Sequence, residues 1–261
     1  MTFSIDQFRL DGKVAIVTGA GGRGNSIGRA YALGLAGAGA TVVVADLNGP
    51  GAEAVAQEIV TSGGKAIAVQ VDITDPASVE AMAATVAQQL GGTDILVNNA
   101  ALMAELSSVP ALDTPLAEWN KIIDVNLTGA LNCAKAIVPQ MRARGGGKIV
   151  NQVSGGAFPA ASVYGISKLA LVGLTTTLAR QLGREKINVN AIAPGNTTSD
   201  AGRQLVPDDS PFIKFLEMTV AMRPRGEPDE LVGALLLLCA PAGDWITGQV
   251  LHVDGGWVLR P

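Results

Sequence analysis

The sequence predicts an α/β protein built on a doubly wound parallel sheet with helices on both faces. Short runs of apolar, largely β-branched residues alternate along the chain with longer segments whose apolar residues recur at helical spacing. Continuous apolar runs of this length are typical of strands buried on both faces, and parallel strands need crossover connections, usually helical, between them. A glycine-rich stretch also lies between the first strand and the first helix. Together these observations favour the doubly wound fold.

Seven runs are predicted as strands because each is short, apolar and followed by turn-forming residues. They are 14–17, 41–45, 66–71, 95–97, 148–150, 187–192 and 249–253. Six segments with helical spacing lie between or after them: 27–38, 52–61, 77–90, 116–144, 163–182 and 229–238. Helix punctuation supports these boundaries, since Asp75-Pro76 is a cap followed by a first-turn proline, and Gly91 follows the last periodic residue of its segment.

Composition excludes several classes of function. The 261 residues carry a net charge of −4, which provides no basic field for nucleic acid or an anionic membrane surface. No apolar run reaches the roughly 18 residues that a membrane span needs, and the N-terminus has no signal-like apolar core. Cys133 and Cys239 each lie in an apolar run, which favours buried thiols in a reducing compartment. We therefore expect a cytoplasmic protein with 1–261 as one domain.

The segment 196–227 has no clear periodicity and contains several prolines among large apolar residues. A loop this long inside a compact domain is usually functional. We predict that it is a substrate lid.

The glycine-rich stretch 18–28 predicts a dinucleotide site, because glycines there let the backbone approach a pyrophosphate at a helix N-terminus. A literal Gly-x-Gly-x-x-Gly pattern can be read at Gly19, Gly21 and Gly24. We favour another register, in which Ser26 and Ile27 face the phosphates and Gly28 allows close packing of the first helix on the first strand. The loop is then expanded relative to the usual pattern.

Asp46 ends the second strand about 18 residues after Gly28, close to the distance at which an acid meets the adenosine ribose hydroxyls. A carboxylate at that position repels a 2′-phosphate, so the sequence predicts a preference for NAD over NADP. The alternative is that Asp46 only opens the Asn48-Gly49 turn.

Tyr164 and Lys168 are four residues apart, which places the phenol and the ammonium on one face of a helix. An adjacent cation favours the phenolate, so we expect Lys168 to lower the pKa of Tyr164 and make it a proton-transfer group. The pattern alone is common and has little diagnostic value. Whether Tyr164 and Lys168 are catalytic depends on the other motifs of the chain.

With these motifs the chain resembles the short-chain dehydrogenase/reductase family over about residues 11–256. The resemblance implies one Rossmann-like domain with seven parallel strands in the order 3-2-1-4-5-6-7. It also implies that the acid after the third strand, Asp72 with Ile73, contacts the adenine. The family's Asn-Asn-Ala-Gly after the fourth strand is present with a final alanine, as Asn98, Asn99, Ala100 and Ala101.

The resemblance implies roles for four further groups. Ser154, just after the fifth strand, would hydrogen-bond the substrate oxygen, although a serine before two glycines can also be a simple turn. Asn126 would maintain a water linking Lys168 to solvent, or else is a polar residue that bends its helix. The turn after the sixth strand would face the nicotinamide through Pro194, Gly195 and Thr197. Ser162 is a weaker alternative to Ser154.

Other chemistries lack the residues that they need. His252 is the single histidine and stands far in sequence from any Ser-x-Gly feature, which argues against a Ser-His-Asp hydrolase. No cluster has metal-ligand spacing, so we expect no metal.

The predicted function is reversible hydride transfer between NAD(H) and a secondary alcohol or ketone, an alcohol dehydrogenase or ketoreductase acting on CH–OH groups (EC 1.1.1.-). Apolar residues near the site favour an apolar or ring-bearing substrate, unless they serve lid packing alone. They are Met103, Phe158, Pro159, Phe212, Phe215 and Met222. Four cations near the lid could instead bind an anionic or thioester substrate: Arg203, Lys214, Arg223 and Arg225.

Two alternatives follow from the resemblance. The general layout is similar to 3-oxoacyl-carrier-protein reductases, which would make the substrate a 3-oxoacyl thioester. A protein of another class, a non-catalytic NAD(H) sensor, could also use this scaffold. The family is typically tetrameric, so we expect a homotetramer in which the helices 116–144 and 163–182 pair, unless their apolar faces are core. The tail 255–261 would contact a neighbour's lid.

Overall fold

The computed structural model describes residues 4–22, 24–103, 110–158 and 160–259. All seven strands join one parallel sheet in the order β3-β2-β1-β4-β5-β6-β7, which confirms the predicted topology. The strands are β1 Val14–Thr18, β2 Thr41–Asp46, β3 Lys65–Gln70, β4 Ile95–Asn98, β5 Gly147–Gln152, β6 Ile187–Pro194 and β7 Val250–Val253. Each lies within two residues of its predicted bounds.

Nine α-helices lie in the described part of the chain. They are α1 Ile27–Gly37, α2 Gly49–Thr61, α3 Pro76–Leu90, α4 Leu116–Ile123, α5 Gly129–Ala143, α6 Val163–Leu182, α7 Asp200–Leu205, α8 Pro211–Thr219 and α9 Val232–Cys239. Residues from α1, α2 and α9 cover one face of the sheet, and residues from α3, α5 and the end of α6 cover the other. β1 shows why its sequence is apolar throughout: Ala15 and Val17 belong to the first layer, and Val14 and Ile16 to the second.

Three predicted segments differ from the structure. The helix predicted over 116–144 is interrupted by a π-helical turn, Asp124–Thr128, and the helix predicted over 229–238 begins as a 3-10 turn, Pro228–Leu231. The segment 196–227 contains the short helices α7 and α8, which the prolines hid from a search for periodicity. Their signals were the caps Ser199 and Ser210, whose hydroxyls accept hydrogen bonds from the first turns of these helices.

The two cysteines are free and buried, as predicted. Cys133 lies in the layer formed by α3 and α5, and Cys239 lies in the layer on the opposite face. Burial raises the pKa of each thiol to about 12. Within the described residues, none of the helices combines the length and the apolar character that a bilayer crossing requires.

Tyr31 on α1 is fully buried, and its hydroxyl has no hydrogen-bond partner among the described residues. Burial raises the pKa of Tyr31 far above its usual value. Since a buried hydroxyl without a partner costs about 1–3 kcal/mol, the Tyr31→Phe variant should gain about 1 kcal/mol in free energy of unfolding. Urea denaturation measures the change. A loss of stability would mean that the hydroxyl is bonded in solution.

Candidate active site

A cleft of about 1310 Å³ opens at the carboxyl ends of the strands. The ends of β1, β2, β4, β5 and β6 contribute Gly19, Asp46, Asn99, Ser154 and Gly195 to its lining. Ligands of doubly wound sheets bind at this edge. The cleft is therefore the candidate active site.

The glycine loop packs tightly at Gly28, as predicted for the register in which this residue brings the first helix close to the first strand. A Cβ atom on Gly28 would stand 2.2 Å from the Gly19 carbonyl oxygen and 2.6 Å from Asn99 Nδ2, so this position needs glycine. Gly19 has a φ of 67°, and a Cβ there would stand 2.6 Å from Ala100 Cα. Ser26 caps α1, because its hydroxyl accepts a hydrogen bond from Arg29 N at 3.2 Å. Gly19, Ser26, Ile27 and Gly28 all line the cleft.

The expanded part of this loop reaches α7. The Asn25 N–H donates to the Asp200 carboxylate at 3.1 Å, and the Asp200 N–H donates to the Asn25 carbonyl at 2.9 Å. Asn25 Nδ2 also donates to the Thr198 carbonyl at 3.3 Å. This contact joins the glycine loop to the beginning of the predicted lid.

Asp46 lines the cleft and also organises two turns. One carboxylate oxygen accepts the Gly21 N–H and the other accepts the Asn48 N–H, both at 2.8 Å. Asp46 thus does stabilise the turn at Asn48, and the same side chain also borders the cleft. Asp72 is held similarly, since its Oδ1 accepts hydrogen bonds from the Thr74 N–H and hydroxyl. Asp72 and Ile73 both line the cleft.

The two asparagines after β4 have different surroundings. Asn99 lines the cleft and donates through Nδ2 to the carbonyls of Thr18 and Gly19, both at 2.9 Å. Asn98 is buried, donates to Asn151 Oδ1 at 2.9 Å, and is not among the described residues that line the cleft. The Asn98 side chain thus ties β4 to β5. Ala100 and Ala101 line the cleft, and Ala101 is exposed.

Ser154, Tyr164 and Lys168 meet in the cleft. The Ser154 hydroxyl lies beside the Tyr164 phenol, where it acts to lower the pKa of Tyr164. Ser154 Oγ accepts the Gly156 N–H at 3.1 Å, which fixes the serine at the start of a 3-10 turn, Gly155–Ala157. Ser162 plays a different part, since its hydroxyl caps α6 by accepting the Gly165 N–H.

Lys168 is almost fully buried, and its Nζ donates to the Gln152 carbonyl at 2.8 Å. Nζ lies 5.7 Å from the centre of the Tyr164 ring. Burial lowers the pKa of Lys168 to about 7, because a charged ammonium is poorly solvated there.

Burial raises the pKa of Tyr164 to about 12, and the Ser154 hydroxyl beside it only partly offsets this rise. The expectation that Lys168 lowers the pKa of Tyr164 is therefore wrong for the protein alone. A lysine with a pKa near 7 is only half protonated at neutral pH, and this one is directed at the Gln152 carbonyl. The protein alone thus keeps the phenol protonated.

Asn126 lies in the π-helical turn between α4 and α5. Its Oδ1 accepts the Leu102 N–H at 2.8 Å, and its Nδ2 donates to the Leu102 carbonyl and to Ser167 Oγ at 3.0 Å. The side chain is buried and is not among the described residues lining the cleft, whereas Leu102 is. Asn126 therefore ties the β4 loop to the helix that carries Tyr164 and Lys168. π-helical turns occur frequently at functional sites.

The turn after β6 borders the cleft with Pro194, Gly195 and Thr197. A Cβ on Gly195 would stand 2.8 Å from Asp254 Cα, so the close approach of the tail requires this glycine. The hydroxyls of Thr197 and Ser199 are hydrogen-bonded at 2.9 Å, and Ser199 caps α7.

Three of the predicted substrate residues, Met103, Phe212 and Phe215, line the cleft. The fourth, Phe158, is not among the described residues lining the cleft, since its ring packs against the cluster that contains Ala130 and lies 4.7 Å from the His252 ring. Pro159 lies outside the described residues. Met222 is exposed and is likewise not among the described lining residues.

Trp257 lines the cleft but was not predicted to do so. It packs against Phe212 of its own chain, whereas the sequence suggested a contact of the tail with a neighbour's lid. The sequence feature that reflects this position of Trp257 is Gly155, immediately after Ser154, because the indole fills the space that a side chain would need there.

The cations near the lid are largely paired with acids. Arg203 and Arg225 bind Asp208, and Arg223 binds Glu230. None of these arginines, nor Lys214, is among the described residues lining the cleft. In the described part of the chain no group of three His, Cys, Asp or Glu side chains could hold a metal.

Comparisons with known proteins agree with this geometry. A family model described as Enoyl-(Acyl carrier protein) reductase matches residues 22–258. An uncharacterized oxidoreductase of Mycobacterium tuberculosis is 47% identical over 251 residues, which cover 96% of this chain and 99% of that protein. A 7α-hydroxysteroid dehydrogenase complexed with NADH and 7-oxo glycochenodeoxycholic acid is 36% identical, with a TM-score of 0.89 over 99% of both chains.

A gluconate 5-dehydrogenase from Burkholderia cenocepacia, in complex with NADP and tartrate, is also 36% identical, with a TM-score of 0.89 over 97% of both chains. The chain belongs to the short-chain dehydrogenase/reductase family. It is an oxidoreductase of the alcohol dehydrogenase type, acting on a secondary alcohol or the corresponding ketone.

Proposed function

We propose that the protein transfers hydride reversibly between NAD(H) and an apolar, ring-bearing secondary alcohol or ketone. The observation that carries this proposal is the meeting of Ser154, Tyr164 and the buried Lys168 in one cleft, with Lys168 Nζ 5.7 Å from the centre of the Tyr164 ring. A non-catalytic NAD(H) sensor would not need a proton donor and a second hydroxyl at the same point.

The glycine loop fits a dinucleotide, because Gly19 and Gly28 leave no room for side chains where β1 meets α1. Ser26 and Ile27 at the α1 N-terminus would hold the pyrophosphate, and Asp46 the adenosine ribose. Lys168 and Thr197 would hold the nicotinamide ribose and amide. The bound coenzyme supplies the hydride donor or acceptor.

In ketone reduction, the Tyr164 hydroxyl gives its proton to the substrate oxygen, while Ser154 holds that oxygen by a hydrogen bond. In alcohol oxidation the proton returns to Tyr164. Lys168, when protonated, stabilises the phenolate formed on reduction. Asn126 positions the helix that carries both residues and supports the proton relay.

We propose that the segment 196–227 closes over the substrate, since residues of α7 and α8 line the cleft. The apolar side chains there favour a ring-bearing substrate over a small polar one. The related 7α-hydroxysteroid dehydrogenase holds a ring-bearing ligand of this kind, 7-oxo glycochenodeoxycholic acid, whereas the related gluconate 5-dehydrogenase holds tartrate. A 3-oxoacyl thioester is less favoured, because the lid arginines Arg203, Arg223 and Arg225 are paired with acids and do not line the cleft. A cytoplasmic homotetramer remains the proposed form of the protein.

Steady-state assays with a panel of alcohols and ketones, run with both coenzymes, test the proposal. Turnover of cyclic secondary alcohols or their ketones is the expected result. NADH binding without turnover of any panel member would favour the sensor.

Coenzyme preference gives a sharper prediction. We expect a higher kcat/KM with NAD than with NADP, because the Asp46 carboxylate repels a 2′-phosphate. Asp46→Asn keeps one acceptor oxygen for the turn but removes the charge, so the NAD/NADP ratio of kcat/KM should fall about tenfold. Asp209→Asn removes an exposed lid carboxylate and should leave the ratio unchanged. A wild-type preference for NADP would contradict the assignment of Asp46.

A further inference from the structure

The tail of the chain folds back onto the cleft after β7. The Asp254 carboxylate accepts three backbone N–H groups, from Gly256 at 2.9 Å, Trp257 at 3.3 Å and Val258 at 2.9 Å. Charge-assisted hydrogen bonds of this kind hold a turn firmly. The backbone of Trp257 is therefore held at the cleft, where the residue forms part of the lining.

One face of the indole lies against the catalytic loop. A Cβ atom on Gly155 would stand 2.9 Å from Trp257 Cε3 and 3.0 Å from Cζ3. Gly155 has no positive φ, so the backbone itself would tolerate a side chain there. The tightest obstacle at this position is the indole, which covers the backbone directly after Ser154, and the Pro194 carbonyl oxygen would stand 3.3 Å from the same Cβ.

The indole also contacts the lid. Its ring centre lies 6.3 Å from that of Phe212, edge to face, and Phe212 stacks on Phe215 with 5.7 Å between ring centres. Such arrangements are favourable aromatic contacts. Trp257 thus joins Ser154's loop to α8, and the three rings form one wall of the cleft.

We infer that Trp257 is a specificity-determining residue that binds an apolar ring face of the substrate beside the reacting oxygen. This inference rests on the proposed function, and it narrows the substrate class to alicyclic or fused-ring secondary alcohols. The physical reason is that a rigid wall of aromatic rings gains most from a flat or rigid hydrocarbon surface, which loses little conformational entropy on binding. A small acyclic alcohol would cover little of this wall.

A double-mutant cycle tests the role of Trp257 through the indole–Gly155 contact. The variants are Gly155→Ala, Trp257→Phe and their combination, and the measurement is kcat/KM for borneol and for isopropanol, with the Kd of NADH as a second readout. Gly155→Ala should displace the indole and lower kcat/KM for borneol about tenfold, with a smaller effect on isopropanol.

In the Trp257→Phe background the added methyl group meets only the milder contact with the Pro194 carbonyl oxygen, so Gly155→Ala should change kcat/KM for borneol by less than about twofold. Trp257→Phe alone should lower the borneol/isopropanol ratio about tenfold. The Kd of NADH should stay within about twofold in every variant, a result that general misfolding would not give. Leu259→Ala, which changes an exposed residue of the same tail, should have no effect.

Equal effects of Gly155→Ala in the two backgrounds, or an unchanged borneol/isopropanol ratio in Trp257→Phe, would overturn the inference while leaving the proposed function intact. A wild-type protein that turns over neither alcohol nor the matching ketones would instead contradict the proposed function.

Discussion

The Tyr164→Phe variant should lose at least about three orders of magnitude in kcat while binding NADH with unchanged affinity. Phenylalanine keeps the ring in its partly buried position but removes the hydroxyl proton that the substrate oxygen needs. Single-turnover assays report the chemical step, and NADH fluorescence titration reports coenzyme binding.

Tyr31→Phe is a matched control, since the chain has only two tyrosines and Tyr31 lies in the core. It makes the same chemical change and should retain full activity. If Tyr164→Phe kept turnover within about tenfold of wild type, another group would have to supply the proton.

Replacing Lys168 by methionine should abolish most activity and stabilise the fold. Loss of the ammonium removes the cation that stabilises a phenolate at Tyr164, so kcat/KM should fall at least about a hundredfold. The stability gain has a different cause. An ammonium with about 1% exposure is costly to bury, and methionine fills similar space without a charge.

The pH dependence of this gain has a definite sign. The pKa of Lys168 is about 7 in the folded protein, below its value near 10.5 in an unfolded chain, so the unfolded state binds the extra proton between these pH values. The stability of the wild type should therefore rise with pH across this window. The advantage of Lys168→Met should be greatest below pH 7, roughly 2–4 kcal/mol, and shrink towards pH 10.

Urea denaturation at pH 6 and pH 9 measures the difference. Lys135→Met, which changes an exposed lysine on α5, should show neither the gain nor its pH dependence. A destabilised Lys168→Met at pH 6 would mean that the hydrogen bond to the Gln152 carbonyl outweighs the cost of burying the charge.

The strands were the most predictable part of the fold. In β1 four of five residues and in β6 six of eight are apolar because both faces are covered, and such runs can be recognised without knowledge of their partner strands. The break between α4 and α5 was not predictable, because it accompanies contacts of Asn126 with Leu102 and Ser167, far away in sequence. Periodicity within one segment carries no information about such contacts.

Some features of the candidate active site were likewise predictable from the sequence, and others were not. Tyr164 and Lys168 could be paired from their spacing along α6, and the family resemblance added Ser154 at the end of β5. The pKa of Tyr164 and the position of Trp257 could not be predicted, because the first depends on burial by the whole fold and the second on a tail that returns to the cleft from β7. The hydrogen bond of Asn98 with Asn151 was equally hidden, because its sequence position cannot tell which side of the sheet end its amide occupies.

The contact between Asn25 and Asp200 has a mechanical consequence. Two segments that are 175 residues apart in sequence share reciprocal hydrogen bonds, one from the loop at the α1 N-terminus and one from the first turn of α7. α7 cannot move outward unless these bonds break or the loop follows it. Movement of α7 at the substrate end of the cleft would therefore also disturb the glycine loop at the phosphate end, and the two ends are mechanically coupled.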